Sequence, residues 1–391
     1  MSAERAKDVK LTRNLRKVIL RGQPWIYRAA LEIPSGMTRA QLVRLVDNKD
    51  KFLAWCLYSP KGPLACRVLS LDREKPNPSL YRQRFEQALL KRASLRRKDN
   101  NVFRLVNGEG DDFPGMIIDV YDQLAVMQFD GPGCFEFWDQ QWFADLLLEQ
   151  EWCDSVYLKP RHDFAVEAKT WGTPVDLSEV PVLEEGAKFL VDVEGGQKTG
   201  FFIDQRSNRH HVRRISSGKS VLNLFSYSGG FSINAGLGGA TEVCSVDMAA
   251  KAIEMSQTNW HINGMSRESH RGQVADVFEF LKESIDKYDV VICDPPSLAK
   301  SEKAKPKAIE AYTECFASCA KLVKVGGDLV LSSCSSHISF SDFEAIVTEA
   351  LSKARRRGQV IRFSGQGIDH PYPQAGPELR YLKFMHLALF D

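Results

Sequence analysis

Cys334, in "VLSSCSSHIS", stands alone among serines just after what reads as a buried strand, and Asp294 opens an Asp-Pro-Pro-Ser turn after another such strand, "VVIC". An ionised thiol can add to an electron-poor carbon. A carboxyl on a turn whose two prolines offer no N–H is left to bind a substrate amine or ring nitrogen. A structural turn alone rarely demands Asp-Pro-Pro, whereas Cys334 read on its own is equally a small core residue. A third stretch, "NLFSYSGGF", puts serine and glycine where a strand turns into a helix, so the backbone can approach a ligand and the helix amino terminus faces it. It is not G-x-G-x-x-G and lacks a Lys-Ser/Thr phosphate grip, which disfavours a dinucleotide or triphosphate. Asp247 ends the next strand some twenty residues later, where an acid can accept hydrogen bonds from ribose hydroxyls. Asp276, in "VADVF", ends the third strand within reach of an adenine amino group. Each carboxylate would also serve as a helix N-cap, but three at successive strand ends favour a nucleoside-bearing cofactor.

These residues need a sheet to align them. From about residue 186 apolar strands alternate with helices: "KSVLNLF", a helix from "FSINAGLGG", "TEVCSVD", "AKAIEMSQTNWHING", "GQVADVF", "YDVVICDPP", helices over 308–324 and 341–354, with "GGDLVLSSCS" between them. Near-continuous apolar strands separated by helices predict a parallel sheet covered on both faces, an α/β Rossmann-like domain with ligands beyond the carboxyl ends of its strands. Upstream, short apolar runs split by "NKDK" and "PKGP" over residues 9–70 predict a small β-barrel. "SLYRQRFEQALLKRASLRRK" predicts an amphipathic helix over 79–98 with a cationic face, either against phosphate or simply solvated. Residues 102–129 predict a β-meander, followed by a helix at 135–150 and a strand in "DSVYLKP", with "GTPVDLSEVP" at a boundary. The expected division is 1–72, 73–185 and 186–391.

Composition bounds the class. The 391 residues are 43% hydrophobic and 26% charged, with no apolar run of membrane-spanning length and no secretory leader in "MSAERAKDVKLTRNLRK". A cytoplasmic protein is expected. Residues 1–100 hold 23 Lys and Arg against nine Asp and Glu, leaving 29 against 41 for the remainder. A basic front on an acidic body suggests a polyanionic partner, most simply nucleic acid. Nine cysteines at irregular spacing fit reduced thiols. Cys315 and Cys319 share a helix face without a nearby completing ligand, so they are expected to pack in the core with no metal.

"GGQKTGFFIDQR", "LNLFSYSGGF", "CDPPS" and "SSCSS", in this order behind a basic β domain, resemble the bacterial large-subunit ribosomal RNA cytosine-C5 methyltransferases. "QPWIY", "GEGDDFPGMIIDVY" and "ELRYLK" extend the resemblance over nearly the whole chain. It implies a PUA-like domain, an α+β middle domain and a Rossmann-like domain that uses S-adenosylmethionine. Phe225, Ser226, Tyr227, Ser228 and Gly229 would line the methionine and nucleoside, Asp247 with Met248 the ribose, and Asp276 with Val277 the adenine. Asp204, Gln205 and Arg206 would organise the cofactor and target pocket, Asp294 would contact both cofactor and base, and Cys334 would be the nucleophile.

The reaction asks for such a thiol. Carbon 5 of cytosine is too poor a nucleophile until a thiolate adds at carbon 6 and makes it enamine-like; a base then removes its proton and the thiol leaves. The target base must be unstacked. His337 as that base or as a surface histidine, and Lys300, Lys303, Lys305 and Lys307 as phosphate contacts or a solvated loop, stay open. So do two other readings, a guanine or adenine ring-nitrogen or exocyclic methyltransferase needing no thiol, and a non-catalytic RNA-binding assembly factor. The partners implied are large-subunit ribosomal RNA, no membrane, and a homodimer left open.

Overall fold

The computed structural model describes residues 6–161, 164 and 166–391. The chain forms two compact units, one of Met1–Val182, Val191–Ile203 and Ile368–Leu379, the other of Leu183–Leu190, Asp204–Gly367 and Arg380–Asp391.

The first unit holds two sheets. A six-stranded one runs Trp25–Tyr27, Leu64–Ser70, Phe52–Tyr58, Gln41–Val46, Asp8–Leu11, Leu31–Glu32 in spatial order. Its alternating residues close around a core of Val9, Val43, Leu45, Leu53, Cys56 and Cys66. A five-stranded sheet of Lys169–Gly172, Ser155–Leu158, Leu124–Phe129, Met116–Tyr121 and Val102–Asn107 contains the expected meander as its last three strands, all antiparallel. The expected helix at 135–150 is two, Pro132–Phe137 and Gln140–Leu148, because Trp138 is extended and Asp139 caps the second through the Trp142 N–H.

The helix expected over 79–98 runs from Pro78 to Arg92, capped by Asn77, and its cations are largely spent within the unit. Arg92 is buried in a bidentate pair with Asp111, Lys91 also reaches Asp111, Arg82 pairs with Glu149, and Arg84 donates to the carbonyls of Leu69 and Asp112. Several stretches that carry the family resemblance meet here as fastenings. Trp25 of "QPWIY" donates its indole N–H to Glu109 of "GEGDD" at 2.7 Å. Thr199 of "GGQKTGFF" donates to Asp119 of "GMIIDVY", which holds the Arg104 guanidinium by two bonds of 2.8 and 2.9 Å.

The second unit is a seven-stranded sheet under helices on both faces. Its strands are β1 (Ser220–Leu224), β2 (Glu242–Asp247), β3 (His270–Val274), β4 (Tyr288–Cys293), β5 (Val323–Ser333), β6 (Gly358–Ser364) and β7 (Lys383–Leu389); its helices are α1 (Arg206–Ile215), α2 (Gly230–Leu237), α3 (Ala250–Ile262), α4 (Val277–Glu283), α5 (Lys305–Leu322) and α6 (Phe340–Ala354). The spatial order is β3-β2-β1-β4-β5-β7-β6, parallel except for β7, which runs antiparallel to both neighbours. Successive residues of the central strands feed opposite cores. Leu222, Leu224, Val291, Cys293, Leu329 and Leu331 pack with α5 and α6, whereas Val221, Val290, Ile292 and Val330 pack with Val212, Phe231 and Trp260. Each such side chain, fully buried, contributes about 1.5–3 kcal/mol. The strand order reverses between β1 and β4, which makes their carboxyl ends the place where an open α/β sheet offers a crevice. Helix α1, rich in arginine and histidine, has no counterpart in the sequence expectation.

Candidate active site

After β1 the chain takes three left-handed residues in five, Phe225, Tyr227 and Gly229, at φ of 57°, 46° and 83°. Two of them carry side chains, a conformation that costs about 1–3 kcal/mol each and persists only where the surroundings enforce it. The enforcement is visible: the Tyr227 N–H donates to Asp247 Oδ2 at 2.9 Å, the Ser226 N–H to the Val246 carbonyl, and the Gly229 N–H to the Ser226 carbonyl. A side chain at Gly229 would meet Ser256 Oγ at 2.3 Å. Asp247, expected to bind ribose, thus ties the β1 loop to the end of β2, and its Oδ1 accepts the Ala249 N–H. Met248 is 73% exposed beside it. Asp276 caps α4 through the N–H groups of Phe278 and Glu279, and Val277 turns its side chain into the core. The Phe225 and Phe278 rings meet edge to face at 5.8 Å.

The second half of the site lies at β4 and β5. Asp294 is half-buried, and the Gln205 amide donates to its Oδ2 at 2.9 Å and to Ser332 Oγ at 3.4 Å. Asn208 in turn holds Gln205 Oε1 at 2.7 Å. Asp204 is buried and accepts the Tyr381 hydroxyl at 2.7 Å; Arg206 is buried at the start of α1. Ser335 is the junction of the two turns. Its hydroxyl lies 2.8 Å from the Tyr312 hydroxyl and 3.0 Å from that of Ser297, and it accepts the Ala299 N–H. Cys334 immediately precedes it. Of the nine cysteines, eight are buried and Cys334 is not.

Two hydrogen-bonded groups therefore flank Cys334, Gln205 with Asp294 and Ser332 on one side and Ser335 with Tyr312 and Ser297 on the other, while the β1 loop, Asp247 and Met248 gather at β1 and β2. Ser335, Tyr312 and Tyr381 were not singled out in the sequence, although the serine run around Cys334 was a trace of the first. His337 faces Glu302 at 3.4 Å. Lys305 is committed to Asp342 at 2.8 Å, while Lys300, Lys303 and Lys307 are exposed. Cys293 joins Cys315 and Cys319 in the core, a third sulfur that the helix spacing could not show; all three lie within 4.8 Å of one another.

Comparison with known proteins reads this arrangement. Residues 153–356 match the S-adenosylmethionine-dependent methyltransferase family, and residues 9–71 a PUA-like domain. A ribosomal RNA large subunit methyltransferase of Deinococcus radiodurans is 35% identical, with 94% of each chain covered. The ribosomal RNA large subunit methyltransferase I of Klebsiella pneumoniae is 32% identical, covering 95% of this chain and 96% of that one. The chain belongs to the ribosomal RNA large subunit methyltransferases. In fold, the methyltransferase superposes on a structure described as a SAM-dependent methyltransferase from Streptococcus mutans with a TM-score of 0.85 at 23% identity, over 98% of this chain and all of that one. A second structure, of a methyltransferase complexed with S-adenosylhomocysteine, gives the same TM-score at 22% identity, covering 98% and 99% of the two chains. Among the described residues no helix is long and apolar enough to cross a membrane.

The residues fit S-adenosylmethionine. Ser226 Oγ of the β1 loop is buried without a hydrogen-bond partner, as is Ser256 Oγ of α3, which packs against Gly229, so this end of the site holds polar atoms that the protein alone leaves unsatisfied. Met248 and Phe278 offer exposed apolar surface of the kind a purine ring covers.

Proposed function

We propose that the methyltransferase modifies carbon 5 of a cytosine in large-subunit ribosomal RNA, with Cys334 as covalent nucleophile. The observation that carries this reading is that Cys334, alone among nine cysteines, is only partly buried, on the turn that Ser335 ties to the Asp294 turn. S-adenosylmethionine, when bound, supplies an electrophilic methyl group. The chain's own part begins with the target ring. Asp294, steadied by Gln205, hydrogen-bonds the ring edge as the Cys334 thiolate adds to carbon 6. The sulfur's electron pair makes the S–C6 bond, and the C5–C6 π pair shifts toward carbon 4 and N3, where Asp294 holds the ring edge, leaving carbon 5 an enamine-like nucleophile. After methylation, loss of the carbon 5 proton restores the double bond and expels the thiolate. Asp247 and the left-handed β1 loop hold the cofactor end, and the basic PUA-like domain holds flanking RNA.

A ring-nitrogen or exocyclic methyltransferase would use the Asp294 turn and would leave the one partly buried thiol, on the neighbouring turn, without a task. Nucleoside analysis of ribosomal RNA from cells with and without the gene, complemented by wild type or Cys334→Ala, separates the two. The expected outcome is loss of one 5-methylcytosine in the deletion and no recovery with Cys334→Ala, whose rate in vitro falls about a thousand-fold or more. A missing methylguanine or methyladenine, or full recovery by Cys334→Ala, would overturn the proposal.

A further inference from the structure

We infer that Lys383 is the positioning residue for the nucleophile: its buried ammonium pins the turn that carries Cys334 and supplies the positive charge against which the sulfur ionises. The inference rests on Cys334 being the nucleophile of the proposed reaction.

Lys383 opens β7 and pairs across the sheet with Ser333, the last residue of β5, one position before Cys334. Its side chain is fully buried, and its Nζ donates to the Ser335 carbonyl at 2.6 Å and to the Tyr381 carbonyl at 2.7 Å. Cys334 is thus held on both sides, by the strand pairing before it and the lysine bond after it. Ser335 then extends that hold to the Asp294 turn through its hydroxyl.

A buried ammonium is expensive unless an anion faces it. Among the described residues no carboxylate forms an ion pair with Lys383. The groups that oppose its charge are Cys334 first and Asp342, at the start of α6, second. Asp342 is already engaged by Lys305 and by the N–H and hydroxyl of Ser339, so its charge is largely answered elsewhere. Tyr312 of α5 faces the same turn with a hydroxyl that burial keeps protonated, and Asp204 acts on the Tyr381 hydroxyl. That leaves the sulfur as the anion best placed to answer the lysine. Burial lowers the lysine to about 8, with Cys334 and Asp342 opposing the shift, so at neutral pH the side chain remains an ammonium. A cation anchored to the carbonyl of the next residue favours the thiolate over the thiol.

The test is the pH dependence of Cys334 alkylation by iodoacetamide, read on the Cys334 peptide by mass spectrometry, in wild type, Lys383→Met and Lys383→Arg. An unassisted thiol ionises near pH 8.5. In wild type the midpoint is expected at least about one pH unit lower. Lys383→Met should raise it by about one unit, slowing alkylation at pH 7 about ten-fold, and Lys383→Arg should restore most of the loss while S-adenosylmethionine affinity stays unchanged. A wild-type midpoint at or above about 8.5, or a folded Lys383→Met with the wild-type midpoint, would overturn the inference. The wild-type midpoint decides even if Lys383→Met does not fold. A Cys334→Ala enzyme that still forms 5-methylcytosine removes the underlying reading instead. An inactive Cys334→Ala with an unshifted Lys383→Met removes only the role of the lysine.

Discussion

Asp294 takes its orientation from outside its own turn. The two prolines after it stiffen the backbone, but the carboxylate is aimed by Gln205, which is itself fixed by Asn208 one helical turn away. Replacing Gln205 with Met keeps the volume and removes the donor. The methyl-transfer rate constant should fall about 10- to 100-fold with little change in S-adenosylmethionine affinity, because a displacement of about an ångström near the chemistry costs that much. Equal losses in rate and cofactor affinity would show that Gln205 supports the cofactor instead. At this scale the sequence revealed the groups whose identity is chemically unusual: a cysteine among serines and an Asp-Pro-Pro turn. It did not reveal their supports, because Ser335, Tyr312 and Tyr381 are ordinary residues whose significance is that they converge from separate elements. Nor could it separate the duties of Asp247 and Asp276. A carboxylate at a strand end suits both a ligand and a backbone N–H, and here both are engaged with backbone N–H groups.

The elements were legible where their buried faces are apolar. Strands β1, β4 and β5 read directly from their Val, Ile and Leu residues, β2 from Val243, Cys244 and Val246, and helices α5 and α6 by their periodic apolar positions. Helix α1 was hidden because its buried face is polar: Arg206, Asn208 and Arg209 turn inward with Val212. Arg209 is answered by a buried ion pair with Glu184, and hydrophobic periodicity cannot register such a face. The same helix brings His211 to 2.9 Å from His386 of β7, which bonds to Asp328 of β5 at 2.8 Å. Burial and the neighbouring His386 push His211 down to about 4; burial does the same to His270, which stacks on Trp260 at 4.6 Å. With folded values below the ordinary 6.5, both histidines are neutral in the fold above that pH and contribute their full stability there. As the pH falls from 6.5 toward about 4, the unfolded chain binds protons that the fold refuses. Stability should therefore drop by up to about 1.4 kcal/mol per pH unit for His270 and by less for the half-buried His211, whose charge solvent screens. Urea unfolding at pH 7 and 5 checks this, and His270→Gln should flatten the dependence. A slope unchanged by that substitution would contradict the assignment.

Across the whole molecule, charge is distributed more telling than it is abundant. The net charge is only +2, yet the first hundred residues are strongly basic. Much of that excess is used internally, as Arg67, Arg82, Arg84 and Arg92 show, and no sequence count separates an arginine facing solvent from one facing Asp111. Arg13, Lys17 and Arg21 are exposed, and Arg13 borders a cavity of about 330 Å³ with Trp25 and Tyr27. Changing these three to Glu should weaken RNA binding and reduce its salt slope by about 2, since each phosphate contact on single-stranded RNA accounts for about 0.7. An unchanged slope would place the RNA elsewhere. The signatures that span the chain proved to mix two kinds of residue. Trp25, Glu109, Asp119 and Thr199 fasten one unit, while Gln205, Asp294 and Cys334 converge in the other. The central claim concerns the last of these. Incubating the enzyme and S-adenosylmethionine with RNA carrying 5-fluorocytidine blocks release, because fluorine cannot leave carbon 5 as a proton does. A stable protein–RNA adduct mapped to the Cys334 peptide is the predicted result; no adduct with an otherwise active enzyme, or an adduct on another residue, would contradict the account.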